Sequence, residues 1–380
     1  MAGPFTLQRR QWLVHATAYA AALAAPMAAP ALAAVRAPRL AAAWEGQDGY
    51  QVGVLAPRGA ALAVSAALDV PTRAHGVWVE AGGTLLAVAR RPGDWLLRWK
   101  PDGNQGAKAI AWGWIEPDRA FNGHVVASPD GKLLYTTETN LETGQGLIGL
   151  RDAATLEKTG EWPTHGMDPH ELLLDADGSL VVANGGIPAL PETGRLKIHM
   201  DRMDASLVRL DTRSGELRGQ WRLADQRLSL RHIAWAEGVS GQRLLGIALQ
   251  AEHDDAAAKA GAPVLAIFNG QKLQTRAAGP GQLLAGYGGD IAPVGGGFAV
   301  SCPRANGVAL WRADGEWAGF LPLQEACALA AVAPQKNEAS GLWAAGRLAA
   351  IAQDNRGAVR ASALKDLRLD NHWAPLHSTG

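Results

Sequence analysis

The residues of this chain best suited to chemistry are five histidines and an aspartate, each at the same point of a repeated local pattern. Four stretches set a histidine just ahead of an apolar run, a turn and a second apolar run. They begin His75-Gly-Val-Trp-Val, His124-Val-Val-Ala-Ser-Pro-Asp-Gly, His170-Glu-Leu-Leu-Leu-Asp-Ala-Asp-Gly and His232-Ile-Ala-Trp-Ala-Glu-Gly. Asp290 holds the equivalent place before Ile291-Ala292-Pro293, Ala328 before Leu329-Ala330-Ala331, and His372 before Trp373-Ala374-Pro375. Neutral imidazole nitrogens converging with a carboxylate suit first-row transition metals such as iron or copper, whereas magnesium and calcium prefer oxygen shells. His75, His124, His170, His232, Asp290 and His372 are therefore candidate metal ligands, with Glu171, Asp168 and Asn122 placed to orient the rings. The same histidines have a structural use, since a histidine before a strand can hydrogen-bond between neighbouring sheets or to channel water.

The elements that would bring these residues together follow from the spacing. The anchors return every 38 to 62 residues, and a unit of strand, Gly-containing turn and strand at such a period is the sign of a β-propeller. The anchors would start the innermost strands, so residues far apart in sequence would line one channel. Counting Ala328 and His372, there are seven units. Little chain follows His372, while two strands, 50–55 and 60–64, lack an anchor of their own. Pairing them with the C-terminal strand in one blade would close a seven-bladed all-β ring and leave no free edge. Asp-Gly pairs at 102–103, 130–131, 177–178 and 314–315, with Ser214-Gly215, mark turns between strands.

Composition agrees with a large, tightly packed β domain. The 380 residues are 48% hydrophobic, and 14 tryptophans against 4 tyrosines and 5 phenylalanines suit the gaps between packed sheets. Lys+Arg and Asp+Glu are equal at 36 each, which gives no bulk electrostatic case for nucleic acid or an anionic membrane. After the first segment no apolar run is long enough to cross a bilayer. Residues 1–33 read as an export signal, with Arg9-Arg10-Gln11-Trp12-Leu13 similar to a twin-arginine motif and cleavage after Ala33, although the ordinary secretory route stays open. Residues 34–380 would then form a single periplasmic domain. Cys302 and Cys327 are the only cysteines; they could form one bridge or remain two thiols. Trp112 and Trp114 alternate as packing residues on one strand face. A long loop over 185–204 is expected to be an ordered cover, and 251–261 a looser surface loop.

The run Asp168-Pro169-His170-Glu171-Leu172, then Asn184-Gly185-Gly186-Ile187, Gly194-Arg195 and Ser229-Leu230-Arg231-His232, resembles the bacterial exported propeller family known as domain of unknown function 1513. The resemblance covers nearly the whole chain after residue 33. It implies a WD40/YVTN-like propeller that keeps company with imelysin-like and di-haem peroxidase-like proteins in periplasmic iron uptake. Two functional classes follow. In the first, a non-enzymatic binding or accessory propeller holds iron or copper at the channel mouth. In the second, a lactonase-like or quinoprotein-like enzyme uses the channel histidines on an organic substrate, with His170, Glu171, Arg195 and Arg231 as ligand-binding residues and Lys197 as a further anion contact. A pure interaction scaffold is the third alternative. No Gly-x-Ser-x-Gly elbow, His-Glu-x-x-His helix or phosphate loop is present, so no catalytic residue is assigned.

Overall fold

A computed structural model describes residues 39–376, apart from 59–60, 104–105, 189–196, 198, 240, 333–340, 354–358 and 365–366. The expected export segment and Arg195 lie outside the described residues.

The chain is built from short antiparallel strands that pair in sequence order within each four-stranded sheet. It opens with β1 (Arg39–Glu45), β2 (Tyr50–Arg58) and β3 (Ala61–Val70). A first four-stranded sheet follows: β4 (Ala74–Val79), β5 (Leu85–Ala89), β6 (Trp95–Pro101) and β7 (Ala107–Trp114). The second holds β8 (Arg119–Ala127), β9 (Leu133–Asn140), β10 (Gln145–Asp152) and β11 (Lys158–Met167). The third holds β12 (Pro169–Leu174), β13 (Leu180–Asn184), β14 (Ser206–Leu210) and β15 (Leu217–Trp221). In the fourth are β16 (Leu228–Glu237), β17 (Arg243–Ala251), β18 (Leu265–Phe268) and β19 (Leu273–Arg276). The fifth has β20 (Ile291–Val294), β21 (Gly297–Cys302), β22 (Gly307–Trp311) and β23 (Trp317–Pro322). Last come β24 (Leu329–Val332), β25 (Gly341–Ala345), β26 (Ala349–Gln353), β27 (Val359–Ala363) and β28 (Arg368–Leu376).

These last strands join β1 to β3 in one eight-stranded sheet, ordered β24-β25-β26-β27-β3-β2-β1-β28. Its two halves meet at a single parallel bridge, Ala363 to Ala61, whereas β28 pairs with β1 over a long antiparallel register from Arg39–Leu376 to Glu45–Arg368. The first strands of successive sheets touch in series: β4 with β8, β8 with β12, β12 with β16, β16 with β20, β20 with β24, β24 with β28, and β28 with β4. They surround one axis, and the later strands of each sheet stack outward from it.

Apolar side chains from facing sheets fill the space between them. Val181, Leu207, Ile247 and Phe268 pack between the third and fourth sheets, and Val126, Tyr135, Leu172 and Leu180 between the second and third. Each fully buried side chain of this size contributes about 1.5–3 kcal/mol. Tryptophans tie neighbouring sheets as well as filling gaps: Trp235 donates its indole N–H to the Leu174 carbonyl at 3.0 Å, and Trp311 to that of Ala277 at 2.9 Å. Trp112 stacks on Trp114 and meets Trp95 edge-on. The turn glycines Gly131 and Gly178 take φ +70° and +81°, the left-handed region that an Asp-Gly turn requires.

Two local expectations change. The N-terminal chain supplies three strands rather than two, because Leu40-Ala-Ala-Ala-Trp44 is itself a strand, buried between β2 and β28. The 251–261 segment is not a loose loop: Ala251 ends β17, and Ala256–Gly261 forms a short helix, α1, capped by the Asp255 side chain on the Ala258 N–H at 2.7 Å. The described ends of the 185–204 loop are packed into the body, with Ile187 and Met203 buried in the core. Cys302 is buried at the end of β21 and Cys327 precedes β24; both are free thiols, raised by burial to about 12.

Candidate metal centre

Every anchor histidine sits where the pairing of its first strand slips. The β4–β5 register breaks between Ala74 and Val77, β8–β9 between Phe121 and Val125, β12–β13 between Pro169 and Glu171, and β16–β17 between Leu230 and Ile233. On β28 the slip against β1 lies between Leu369 and Trp373. Such bulges re-aim side chains that a regular pleat would send to a blade face. The histidines therefore do not all begin their strands as expected: His124, His232 and His372 lie well inside β8, β16 and β28. Adjacent bulges interlock through glycine. A Cβ on Gly76 would stand 2.3 Å from the Gly123 carbonyl, and one on Gly123, at φ +106°, would stand 2.7 Å from the His75 ring.

The five rings converge. His232 Nε2 lies 2.8 Å from His170 Nε2, 2.9 Å from His372 Nε2 and 3.5 Å from His75 Nε2. Ligand atoms of His75, His124, His170 and His232 all fall within 4.8 Å of one another, as do those of His232, Asp290 and His372. Four of the six residues are histidines no more than 6% exposed, Asp290 is 4% exposed, and His372 is partly buried.

The outer nitrogens decide what the inner ones present. His232 Nδ1 meets the Gly289 carbonyl, which only accepts, so that nitrogen carries the proton and Nε2 keeps its lone pair. Nδ1 of His372 faces Asp290 at 3.3 Å, that of His124 faces Glu171 at 3.5 Å, and that of His75 faces Asp370 at 3.7 Å. His232 is thus oriented by an acceptor at Nδ1, and three further imidazoles have a carboxylate on their Nδ1 side, the kind of support that metal-bound histidine uses. His75 Nδ1, His170 Nδ1 and His124 Nε2 are buried without hydrogen-bond partners.

Burial pushes the His75 imidazole down to about 3 and holds His124, His170 and His232 well below the ordinary histidine value. Burial opposes charge on His372 too, but Asp290, Glu171 and Asp370 outweigh it and raise its pKa. Burial raises Glu171 to about 8. His372 is accordingly the imidazole best placed to hold a second proton and donate from Nε2 to His232. His232 has one lone pair, however, and cannot accept from both His170 and His372. A single cation shared by these nitrogens relieves that conflict. Metal–imidazole bonds of about 2.0–2.1 Å place neighbouring donor nitrogens roughly 2.9–3.4 Å apart, close to the separations seen here.

The remaining sequence candidates divide. Glu171 joins the ring, accepting the Ile233 N–H at 2.7 Å while facing His124, and lines a cavity of about 40 Å³ with Gly76, Trp78 and His124. Asp168 does not orient a ring; it pairs with Arg91 and with Arg231, the latter at 2.9 Å. Asn122 bonds Thr139 instead of a histidine. Lys197 is no free anion contact, because it pairs with Glu252. Asp370 was missed as a ring-orienting residue. A polar residue two positions before the anchor recurs as Arg73, Asn122, Asp168 and Asp370, which is the signal that would have found it.

The sheets stacked around one axis and the inward histidines define a β-propeller with a buried His/Asp group able to hold a metal ion. The chain belongs to the family described as protein of unknown function DUF1513, whose model matches residues 68–376. No curated protein matches it. Among solved structures it is similar to a protein from Lactobacillus plantarum, with 14% identity, TM-score 0.57, and coverage of 90% of this chain and 99% of that one. It is also similar to Kuenenia stuttgartiensis hydrazine synthase, at 14% identity and TM-score 0.55, covering 90% of this chain and 100% of the other. Virginiamycin B lyase from Staphylococcus aureus aligns at 14% identity and TM-score 0.54, over 77% of this chain and 84% of that. At such identities the likeness is one of fold.

Proposed function

We propose that this protein is a periplasmic, non-enzymatic binding or accessory propeller that holds a transition metal, iron or copper, in its central channel. The observation that carries this reading is the convergence of Nε2 atoms at 2.8–3.5 Å while Nδ1 of four rings faces a carbonyl or carboxylate. His75, His124, His170, His232 and His372 would hold the ion, and Asp290, Asp370 and Glu171 would fix the rings. Five imidazoles favour a late first-row metal over calcium or magnesium, and outnumber the four ligands usual for structural zinc. The run of contacts among first strands, with β28 joined to β1, supports a seven-bladed ring sealed by the terminal strands. Export by the 1–33 signal, and work beside imelysin-like and di-haem peroxidase-like proteins in iron uptake, complete the reading.

Elemental analysis of the untagged protein, exported by its own signal, tests it. Near-stoichiometric iron or copper is expected in the native chain, and none in a folded His124→Ala/His170→Ala/His232→Ala variant. No metal in the native chain, even after reconstitution, would overturn the proposal.

A further inference from the structure

Among the described residues four arginines grip a carboxylate side-on, through Nε and Nη2 together: Arg73 on Asp370, Arg98 on Glu80, Arg119 on Glu161 and Arg222 on Asp204. Arg231 presents the same edge to no partner. Its Nη1 donates to Asp168 at 2.9 Å, while Nε and Nη2 are buried without a hydrogen bond and the residue has 0% exposure. A guanidinium sealed from water with both of its paired donors unmet is costly; Arg151 and Arg209 also leave a buried Nε without a partner, but their Nη2 groups bond Glu138 and Asp175, whereas Arg231 leaves both donors unmet.

The surrounding charges point the same way. Asp168 is shared between Arg231 and Arg91, so one carboxylate serves two guanidinium groups. Glu252, within electrostatic reach of Arg231, is shared in turn by Lys197 and Lys259. Four cations thus meet two carboxylates in one region. The Asn184-Gly185-Gly186 run gives this region its shape. Asn184 ties β13 back to the Thr164 carbonyl at 3.0 Å, and Gly185 passes so close that a Cβ would stand 2.5 Å from Asp168 Oδ2 and 3.0 Å from Arg231 Nη1. Gly186, at φ +72°, turns the chain away where any side chain would strike the Asp204–Ala205 backbone.

We propose that the Nε/Nη2 edge of Arg231 is a receptor for the carboxylate of a small-molecule ligand, held side-on beside Asp168. The planar fork matches two carboxylate oxygens, and the local excess of positive charge draws an anion without any metal in the histidine ring.

Calorimetric titration of the chelator-treated full chain with acetate, succinate and citrate tests this site apart from the metal reading. Saturable binding of at least one of these probes is expected. Arg231→Lys keeps the charge but not the fork and should weaken binding at least tenfold, while Arg222→Lys, on an exposed pair, leaves it unchanged. If Arg231→Lys does not fold, Lys197→Met should still weaken binding at least threefold by removing one positive charge. Equal affinity in the folded Arg231 variant, or in Lys197→Met where that variant stands in for it, would overturn the proposal. So would the absence of saturable binding. Binding that survives in metal-free protein leaves the site standing even if the ring proves to hold no metal.

Discussion

Two buried polar clusters lie near each other in this protein and are built on opposite principles. In the second sheet Glu138, 0% exposed, accepts from Arg151 at 2.9 Å, Lys158 at 2.8 Å and Thr136 at 2.7 Å. Arg151 also reaches Glu116 at 3.2 Å and lies over the Phe121 ring. Donors face acceptors and positive faces negative, so apart from the buried Arg151 Nε, which has no partner, the network satisfies itself and has no use for a ligand. The histidine ring instead aims acceptor nitrogens at one another, having used most of its outer nitrogens to fix the rings. Burial alone therefore does not mark a functional site. The mark is a buried set of groups that the chain orients but does not itself satisfy.

Acid should separate the two clusters most strongly. In the folded chain His75 is held at about 3, and His124, His170 and His232 lie well below 6.5, whereas unfolded histidine titrates near 6.5. Below about 6.5 the unfolded state thus binds more protons, and stability falls as pH drops, by up to ~1.4 kcal/mol per pH unit for each such proton. His372 and Glu171, both raised, run the other way and give up stability as pH rises through their folded values. Four lowered groups outnumber two raised ones. Urea denaturation of metal-free protein is expected to show a loss of several kcal/mol between about pH 6.5 and about pH 4.5. A flat profile would show that the imidazoles are not held neutral.

Next in size is a change that breaks the self-satisfied network and spares the ring. Glu138→Gln removes the negative charge shared by two buried cations, and one of the two oxygens that accept from them, and should cost about 3–5 kcal/mol in chemical denaturation. The metal content of the folded fraction should be unchanged. Loss of metal along with stability would mean that the two clusters are one unit.

The sequence made the repeat legible because each unit carries its own anchor, apolar runs and Asp-Gly turn, and these survive irregular spacing. β1 was not legible, since Leu40-Ala-Ala-Ala-Trp44 has weak strand preference and becomes a strand by lying between β2 and β28. The ring residues could be named from type and position, yet their convergence depends on bulges that shift each strand's register by a residue or two, which periodicity does not report. Asp168 shows the same limit. Its place two before His170 suggested a partner for the ring, but its side chain turns to Arg91 and Arg231. Asp370, in the equivalent place before His372, does face a ring, that of His75.

The smallest expected effect tests the comparison most finely, because it changes charge in the ring's supports without removing a ligand. Asp370→Asn withdraws a carboxylate from His75, and Arg73 loses its charged partner on the same side chain. Asp290→Asn does the same to His372, and its single amide oxygen can keep only one of the Ile291 and Leu329 N–H groups, which bond different carboxylate oxygens. Each should weaken metal binding about 10–100-fold, or about 1.4–2.7 kcal/mol, as read by competition with a chelator of known affinity. Asp290 stands 3.3 Å from its ring and Asp370 3.7 Å from its own, so Asp290→Asn should have the larger effect. Glu138→Gln alters charge in the same way, but its carboxylate supports cations rather than an imidazole, and metal affinity should not move. If all three variants bind metal as tightly as the native chain, the carboxylates around the ring serve only the fold, and the distinction between the two clusters fails.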